Sequence, residues 1–201
     1  MGMKVAIAVL AAGRSTRMGS FNKLLSRFGE VPLVQLSITQ AIAAGRGPVF
    51  LVTGHMADEI REAISGFPVT IVHNSEYASG LSSSIRTALR VIPDDCAGVL
   101  IHLADMPLVT EIDIAAISDA FICNEGGVVV RATACGKPGN PVVLPRSLFS
   151  ELSLLEGDTG ARGLIAASEI PVIDVEIGRA ASYDVDTPEA LEAAGGFRPS
   201  R

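Results

Sequence analysis

Apolar positions along the chain follow two alternating rhythms. Short runs rich in β-branched residues fall at 5–10, 49–53, 69–72, 98–103, 128–131 and 172–175, each the length of a buried strand. Between them, segments 32–44, 57–64, 81–91, 111–122 and 159–167 carry apolar residues at three- and four-residue spacing, the period of a helix with one buried face. This alternation predicts an α/β fold with a doubly wound, mostly parallel sheet and helices on both faces. Ligands of such sheets gather beyond the carboxyl ends of the strands, where the strand order reverses. The stretch 131–145 breaks the rhythm, because Gly136, Pro138, Gly139 and Pro141 punctuate it before an apolar run resumes at 142–144. A small hairpin-like excursion is expected there. With no internal repeat or low-complexity segment, the expected organisation is a single domain over 1–194 and a flexible C-terminal tail over 195–201.

Composition narrows the class. A chain of 201 residues with a 48% apolar share can bury a core of its own without a metal or disulfide staple, which excludes collagen-like, disordered and small disulfide-bonded chains. Sixteen Lys and Arg against twenty-two Asp and Glu leave a net charge of −6, so no nucleic-acid partner held by a basic face is expected. Any anionic ligand must therefore be met by local positive charge. Cys96, Cys123 and Cys135 form no C-x-x-C pair and are expected to be free thiols. The first apolar run ends in a loop after about eight residues, too short for a membrane span and without signal-peptide flanks. No membrane association is expected, and the expected location is cytoplasmic.

Candidate chemistry concentrates after the first strand, in LAAGRSTRMG at 10–19 followed by Lys23. Small residues at Ala11, Ala12 and Gly13 let backbone N–H groups approach a ligand, while Arg14, Arg17 and Lys23 can surround it with cationic donors. That is the composition of a triphosphate cradle. The spacing is neither G-x-x-x-x-G-K-[ST] nor G-x-G-x-x-G. Asp105 follows a strand in LADMP, with Pro107 stiffening the turn. In YDVDTPEAL at 183–191, Asp184 and Asp186 alternate with Val185, so both carboxylates face one side of an extended segment. Thr187 and Pro188 suit the cap and first position of a following helix. Such carboxylates suit Mg²⁺ or Mn²⁺ held jointly with substrate phosphates. Further on, Gly80 with Ser82, Ser83 and Ser84 marks a loop-to-helix junction that can cap the helix or face a base. In GDTGAR at 157–162, Asp158 or Thr159 can cap a helix whose start, near Arg162, is compatible with an anion. His55, His73 and His102 share no metal-ligand spacing and are expected to be structural. No G-x-S-x-G elbow supports a serine hydrolase.

The motif LAAGxSxRMG with a lysine four residues on resembles the signature of nucleotidyltransferases built on the MobA-like fold. The resemblance runs from about residue 4 to 191 and implies a Rossmann-like nucleotidyltransferase domain whose loop wraps a nucleoside triphosphate. It implies that Leu10, Ala11, Ala12, Gly13 and Arg14 lie against the nucleotide. Arg17 and Lys23 would hold its β- and γ-phosphates and, with Asp105, would be catalytic. Asn74, Gly80 and Ser82 would bind the base, and Asp105 with Asp186 the metal. GKPGNPVVL at 136–144 and GDTGAR resemble the molybdenum cofactor cytidylyltransferases, a subgroup that transfers cytidylyl to molybdopterin. LAAG rather than LAGG leans toward cytidine nucleotides. This implies CTP as donor, molybdopterin as acceptor through Asn140, Pro141, Asp158 and Arg162, and a molybdenum-dependent hydroxylase as recipient of the product. Asn140 stands where close relatives often carry His, and Thr159 where many carry Lys or Arg. The same cradle also suits a cytidylyl- or uridylyltransferase acting on another phosphorylated acceptor, or a nucleotide-binding accessory protein of a molybdenum enzyme. A nicotinamide oxidoreductase, also doubly wound, would need a glycine fingerprint that is missing.

Overall fold

A computed structural model describes residues 2–19, 21–158 and 160–199. In chain order its strands and α-helices are β1 (Lys4–Ala11), β2 (Arg27–Phe28), β3 (Val31–Pro32), α1 (Leu33–Ala44), β4 (Val49–Thr53), α2 (Ala57–Ala63), β5 (Thr70–His73), α3 (Leu81–Leu89), β6 (Cys96–Leu103), α4 (Glu111–Cys123), β7 (Val129–Ala134), β8 (Lys137–Pro145), α5 (Phe149–Leu152), α6 (Arg162–Ala167), β9 (Val172–Glu176) and α7 (Pro188–Ala193). Among the described residues, seven strands form one sheet in the order β5-β4-β1-β6-β8-β7-β9, and β2 pairs with β3 in a separate small hairpin. Within that sheet only β8 runs against its neighbours. The chain winds outward from β1 to β4 and β5, then crosses back to place β6 on the other side of β1. The reversal beside β1 is the place where ligands of such sheets collect.

The α/β fold and mostly parallel sheet expected from the sequence are those observed. Strand periodicity explains the layers: Val5, Ile7, Val9 and Ala11 of β1 join one core cluster, with Ile38 of α1, Ile60 of α2 and Phe121 of α4. Ala6, Ala8 and Leu10 join the other, with Ile85 of α3, Leu152 of α5 and Ile165 of α6. A strand buried on both faces reads as a continuous apolar run, as β1 does.

Local chemistry sets several boundaries. Thr110 and Asp113 form a reciprocal capping box at the start of α4, satisfying two backbone donors. Thr187 caps α7 and Pro188 opens it, as expected. The serines at 82–84 do not cap α3, whose cap position is Gly80 without a side-chain bond; instead Ser83 Oγ donates back to the Gly80 carbonyl at 2.8 Å. Nor does Asp158 cap the next helix, which begins at Arg162 with Ala161 as its cap position. Thr159 lies outside the described residues. The stretch 131–145 is two strands of the main sheet, joined through Cys135 and Gly136, both at positive φ. Glu176 secures this turn by accepting from the N–H groups of Cys135 (2.9 Å), Gly136 (3.1 Å) and Gly178 (3.0 Å) and from the Thr133 hydroxyl (2.8 Å). Those donors hold its carboxyl down at about 2. The expected tail begins at Gly195, and its described part bonds to β2 through Arg27 and Phe197.

The three cysteines are free, Cys96 buried and Cys123 and Cys135 exposed. Among the described residues, no helix is long and apolar enough to cross a membrane.

Candidate active site

Loops from four strand ends converge beyond β1. The Ala104 N–H donates to the Leu10 carbonyl at 3.1 Å, the His55 N–H to the Ala12 carbonyl at 3.3 Å and the Asn74 N–H to the Thr53 carbonyl at 2.8 Å. Gly54 permits this crowding, since a Cβ there would lie 2.5 Å from Tyr77 Cβ and 2.8 Å from Ala12 Cβ. The loops enclose a cleft of about 640 Å³.

One wall is the end of β1 and the loop after it, where Leu10, Ala12, Gly13, Arg14 and Arg17 line the cleft. Ser15 sits in the left-handed region at φ 52. Its carbonyl accepts from the Met18 N–H at 2.8 Å, and its Oγ accepts from the Lys23 N–H at 3.2 Å. The Met18 side chain is buried and roots the loop in the core. Asn22 caps the single turn that follows by accepting from the Leu24 N–H at 3.0 Å. That turn aims Lys23 into the cleft.

The facing wall is acidic. The Val185 N–H donates to the Asp105 carbonyl at 2.9 Å, and Val185 is fully buried, so Asp184 and Asp186 on either side of it turn toward Asp105. Each of the three carboxylates offers one oxygen, all within 4.8 Å of one another. Lys23 Nζ donates to Asp105 Oδ2 at 2.5 Å and to Asp186 Oδ1 at 2.6 Å, and Arg17 donates to Asp186 Oδ2 at 2.5 Å. Burial alone would lower the Lys23 pKa, but Asp105 and Asp186 outweigh it and raise it. Burial likewise opposes the Asp186 charge, yet Lys23 and Arg17 bring its carboxyl below the usual range. Desolvation and the neighbouring charges of Asp186 and Asp105 push the Asp184 carboxyl up. Asp105 Oδ1 is buried with no hydrogen-bond partner among the described residues. An unpartnered buried oxygen amid converging carboxylates fits a hard divalent cation, so Asp105, Asp184 and Asp186 are the residues able to hold one.

Tyr77, Ala78, Gly80, Leu81 and Ser84 form the third side. Gly80 stands at φ 101, where an added Cβ would lie 2.5 Å from Asp158 Oδ1. Asp158 thus lines the cleft next to Gly80. Asn74 and Ser82 act behind this wall. The Asn74 side chain donates to Ser83 Oγ at 2.8 Å and Ser84 Oγ at 3.1 Å and accepts from the Glu76 N–H at 2.9 Å. Ser82 Oγ donates to the Gly157 carbonyl at 2.7 Å. Both are buried, as is Ala11 in the core.

The cleft therefore gathers Leu10, Ala12, Gly13, Arg14, Arg17, Lys23, Gly80, Asp105, Asp158 and Asp186 from the sequence-derived set. Asn140, Pro141 and Arg162 are not among its lining residues. The first two belong to β8 and Arg162 opens α6. Gly139 presses β8 onto the Ala181 carbonyl, in the segment leading to Asp184. The family resemblance implies Asp186 and not Asp184 as ligand, although the alternation in DVD aims both the same way. Tyr77, Leu81 and Leu24 carried no signal, because their place in the lining depends on packing between distant loops. None of the three histidines joins the acidic cluster.

A family of MobA-like NTP transferase domains matches residues 7–172. The bifunctional protein GlmU of Kineococcus radiotolerans is 32% identical over 136 residues, 66% of this chain and 28% of that protein. The molybdenum cofactor cytidylyltransferase of Escherichia coli K12 is 27% identical over 182 residues, 90% of each chain. The chain spans 28%, 40% and 23% of the length of three GlmU proteins that it matches. Among solved structures, Rv0371c from Mycobacterium tuberculosis H37Rv superposes with a TM-score of 0.82 at 26% identity, covering 96% of this chain and 98% of that one. A manganese complex of Rv0371c shares the fold, with a TM-score of 0.81 at 24% identity and the same coverage. With the family matched over residues 7–172 and a cleft that opposes cations to carboxylates, this chain belongs to the MobA-like NTP transferase domain family of nucleotidyltransferases.

Proposed function

We propose that the chain transfers CMP from CTP to the terminal phosphate of molybdopterin and releases pyrophosphate. The observation that carries this reading is the loop of Arg14, Arg17 and Lys23 set across one cleft from Asp105, Asp184 and Asp186. In the reaction, an acceptor phosphate oxygen attacks the α-phosphorus. A new P–O bond forms there as the bond to the oxygen bridging to the β-phosphate breaks, and that oxygen leaves with pyrophosphate. A phosphate acceptor is ionised at neutral pH, so no side chain has to remove a proton. Arg17 and Lys23 bind the β- and γ-phosphates and offset the charge that grows on the leaving group. Leu10, Ala12 and Gly13 bring backbone against the nucleotide, and the Gly80 wall bounds the base. Asp105, Asp184 and Asp186 would hold Mg²⁺ or Mn²⁺, which when bound supplies charge neutralisation to phosphate oxygens. The manganese complex of the structural neighbour supports a divalent ion of this class.

For the acceptor, support comes from the GKPGNPVVL and GDTGAR segments and from a relative, the Escherichia coli molybdenum cofactor cytidylyltransferase, that is coextensive with the chain. The likeness to GlmU proteins favours a second reading in which the acceptor is another phosphorylated compound, such as a sugar phosphate. A product passed to a molybdenum-dependent hydroxylase belongs to the first reading alone.

Pyrophosphate release from each of the four ribonucleoside triphosphates, with Mg²⁺, tests both. Release from CTP only when molybdenum-loaded molybdopterin is present supports the proposal. Release with a sugar phosphate and not with molybdopterin transfers the assignment to the second reading. Binding of CTP without release toward any acceptor points to a nucleotide-binding accessory protein.

A further inference from the structure

After α7 the chain turns back along the small hairpin to the cationic loop. Arg27 and Phe197 exchange backbone hydrogen bonds of 2.9 Å in both directions. Gly196 permits the close approach, since a Cβ there would lie 2.8 Å from Phe28 Cζ. From this mooring Arg198 reaches the loop after β1. Its Nη2 donates to the Met18 carbonyl at 2.8 Å, and its guanidinium carbon lies 5.4 Å from the centroid of the Phe21 ring.

The two contact points straddle Gly19. Met18 directly follows Arg17, and Phe21 stands two residues before Lys23. Arg17 and Lys23 converge on the two oxygens of Asp186, at 2.5 Å and 2.6 Å. Arg198 is thus fastened at Met18 and at Phe21, two points between the two cations along the chain, while the Met18 side chain keeps its own hold in the core. A charged donor on a carbonyl and a cation beside a ring restrain those two points without contributing to the buried core.

We propose that Arg198 is a positioning residue for the nucleoside triphosphate: it sets the spacing of Arg17 and Lys23 by clasping the loop at Met18 and Phe21. This rests on the reading that the loop holds the triphosphate. The test compares the wild type with R198A and R198K. It follows trypsin cleavage after Arg14 and Arg17, calorimetric CTP binding with Mg²⁺, steady-state pyrophosphate release, and thermal melting as a control on folding.

For R198A, faster cleavage within the loop is expected, with Kd and KM for CTP raised about tenfold. At saturation kcat stays within about twofold of wild type, because the group does not touch the reacting atoms. R198K recovers part of the loss, since an ammonium can donate to the Met18 carbonyl but lacks the flat face that lies by Phe21. Unchanged cleavage and binding in R198A, beside a wild type that binds CTP, overturns the inference and leaves the proposed function standing. A lowered melting temperature with faster cleavage throughout the chain also overturns it, by making the role structural. A wild type that binds no nucleoside triphosphate removes the proposed function, and the inference with it.

Discussion

Charged residues gather at both ends of the sheet, and the two ends treat them differently. At the amino ends of the parallel strands the pairs are one cation to one carboxylate and open to water. Lys4 meets Asp95 at 2.6 Å with side chains 38% and 59% exposed, and Arg46 meets Asp119 at 2.6 Å with 33% and 49% exposed. At the carboxyl ends Lys23 is 11% exposed and shared between Asp105 and Asp186, with Arg17 on the same Asp186 and Asp184 beside them. Exposed one-to-one pairs are nearly neutral in energy and screened by salt. Crowded, partly dry carboxylates that exceed their cations cost folding free energy, and perturbed groups of that kind mark functional sites. The amino end is therefore read as upkeep of the surface and the carboxyl end as a site.

The strongest way to break this contrast is to remove a carboxylate from the crowded end. Asp105→Ala is expected to lower the transfer rate by about 10²- to 10³-fold, the scale of losing one contact to developing charge. Pyrophosphate release at saturating CTP and Mg²⁺ measures it. Full activity in this variant would make the carboxyl end no different in kind from the amino end and would withdraw the metal assignment.

How far this contrast could be read in advance depends on the range of the interactions. The layers were legible because short apolar runs such as β1 and segments of helical spacing are local properties, and the basic residues after β1 stood out for the same reason. Asp105 and Asp186 were legible as carboxylates beside strand ends and turns. Other features are decided between distant segments. A two-residue strand such as β2 has no periodicity, so neither its pairing with β3 nor the bridge from Phe197 left a trace. The reversed direction of β8 depends on pairing with β6 and β7. Asp158 looked like a helix cap, because its neighbourhood along the chain could not reveal that Gly80 would pack against it.

Close to the carboxyl end of β6, directly before the cleft-lining Leu103, His102 tests how dry the sheet is behind the site. It is fully buried, neither ring nitrogen has a partner among the described residues, and burial lowers its pKa from 6.5 to about 4. The unfolded chain takes up this proton below about 6.5, whereas the folded protein does not until about 4. The unfolded state thus binds more protons in that window, so stability falls as pH drops through it. The gap between 6.5 and about 4 amounts to about 3 kcal/mol, complete near the lower value. Urea denaturation at a series of pH values should show this loss in wild type and not in His102→Leu. At pH 8 the variant should be no less stable, since no hydrogen bond to the ring is lost. Parallel pH profiles for the two proteins would mean that water or a charge reaches the sheet behind the cleft.

The smallest effect is expected at the amino end, and it completes the contrast. Arg46 and Asp119 have the better geometry of the exposed pairs there, with two bonds of 2.6 Å and 2.7 Å between guanidinium and carboxylate, and Asp119 holds the Arg46 pKa up. Arg46 also donates to the Ala44 carbonyl at 2.9 Å, so the carboxylate is the cleaner group to change. Asp119→Asn keeps the shape and removes the charge. Water competes for both partners, so the loss of stability should stay below about 1 kcal/mol and shrink further in high salt. Transfer activity should not change, because the pair lies at the opposite end of the sheet from the cleft. A loss of several kcal/mol, or one that salt does not diminish, would mean that this end too holds its charges away from water. Ion pairing would then no longer distinguish the two ends, and the carboxyl-end site would rest on its converging carboxylates and its cleft alone.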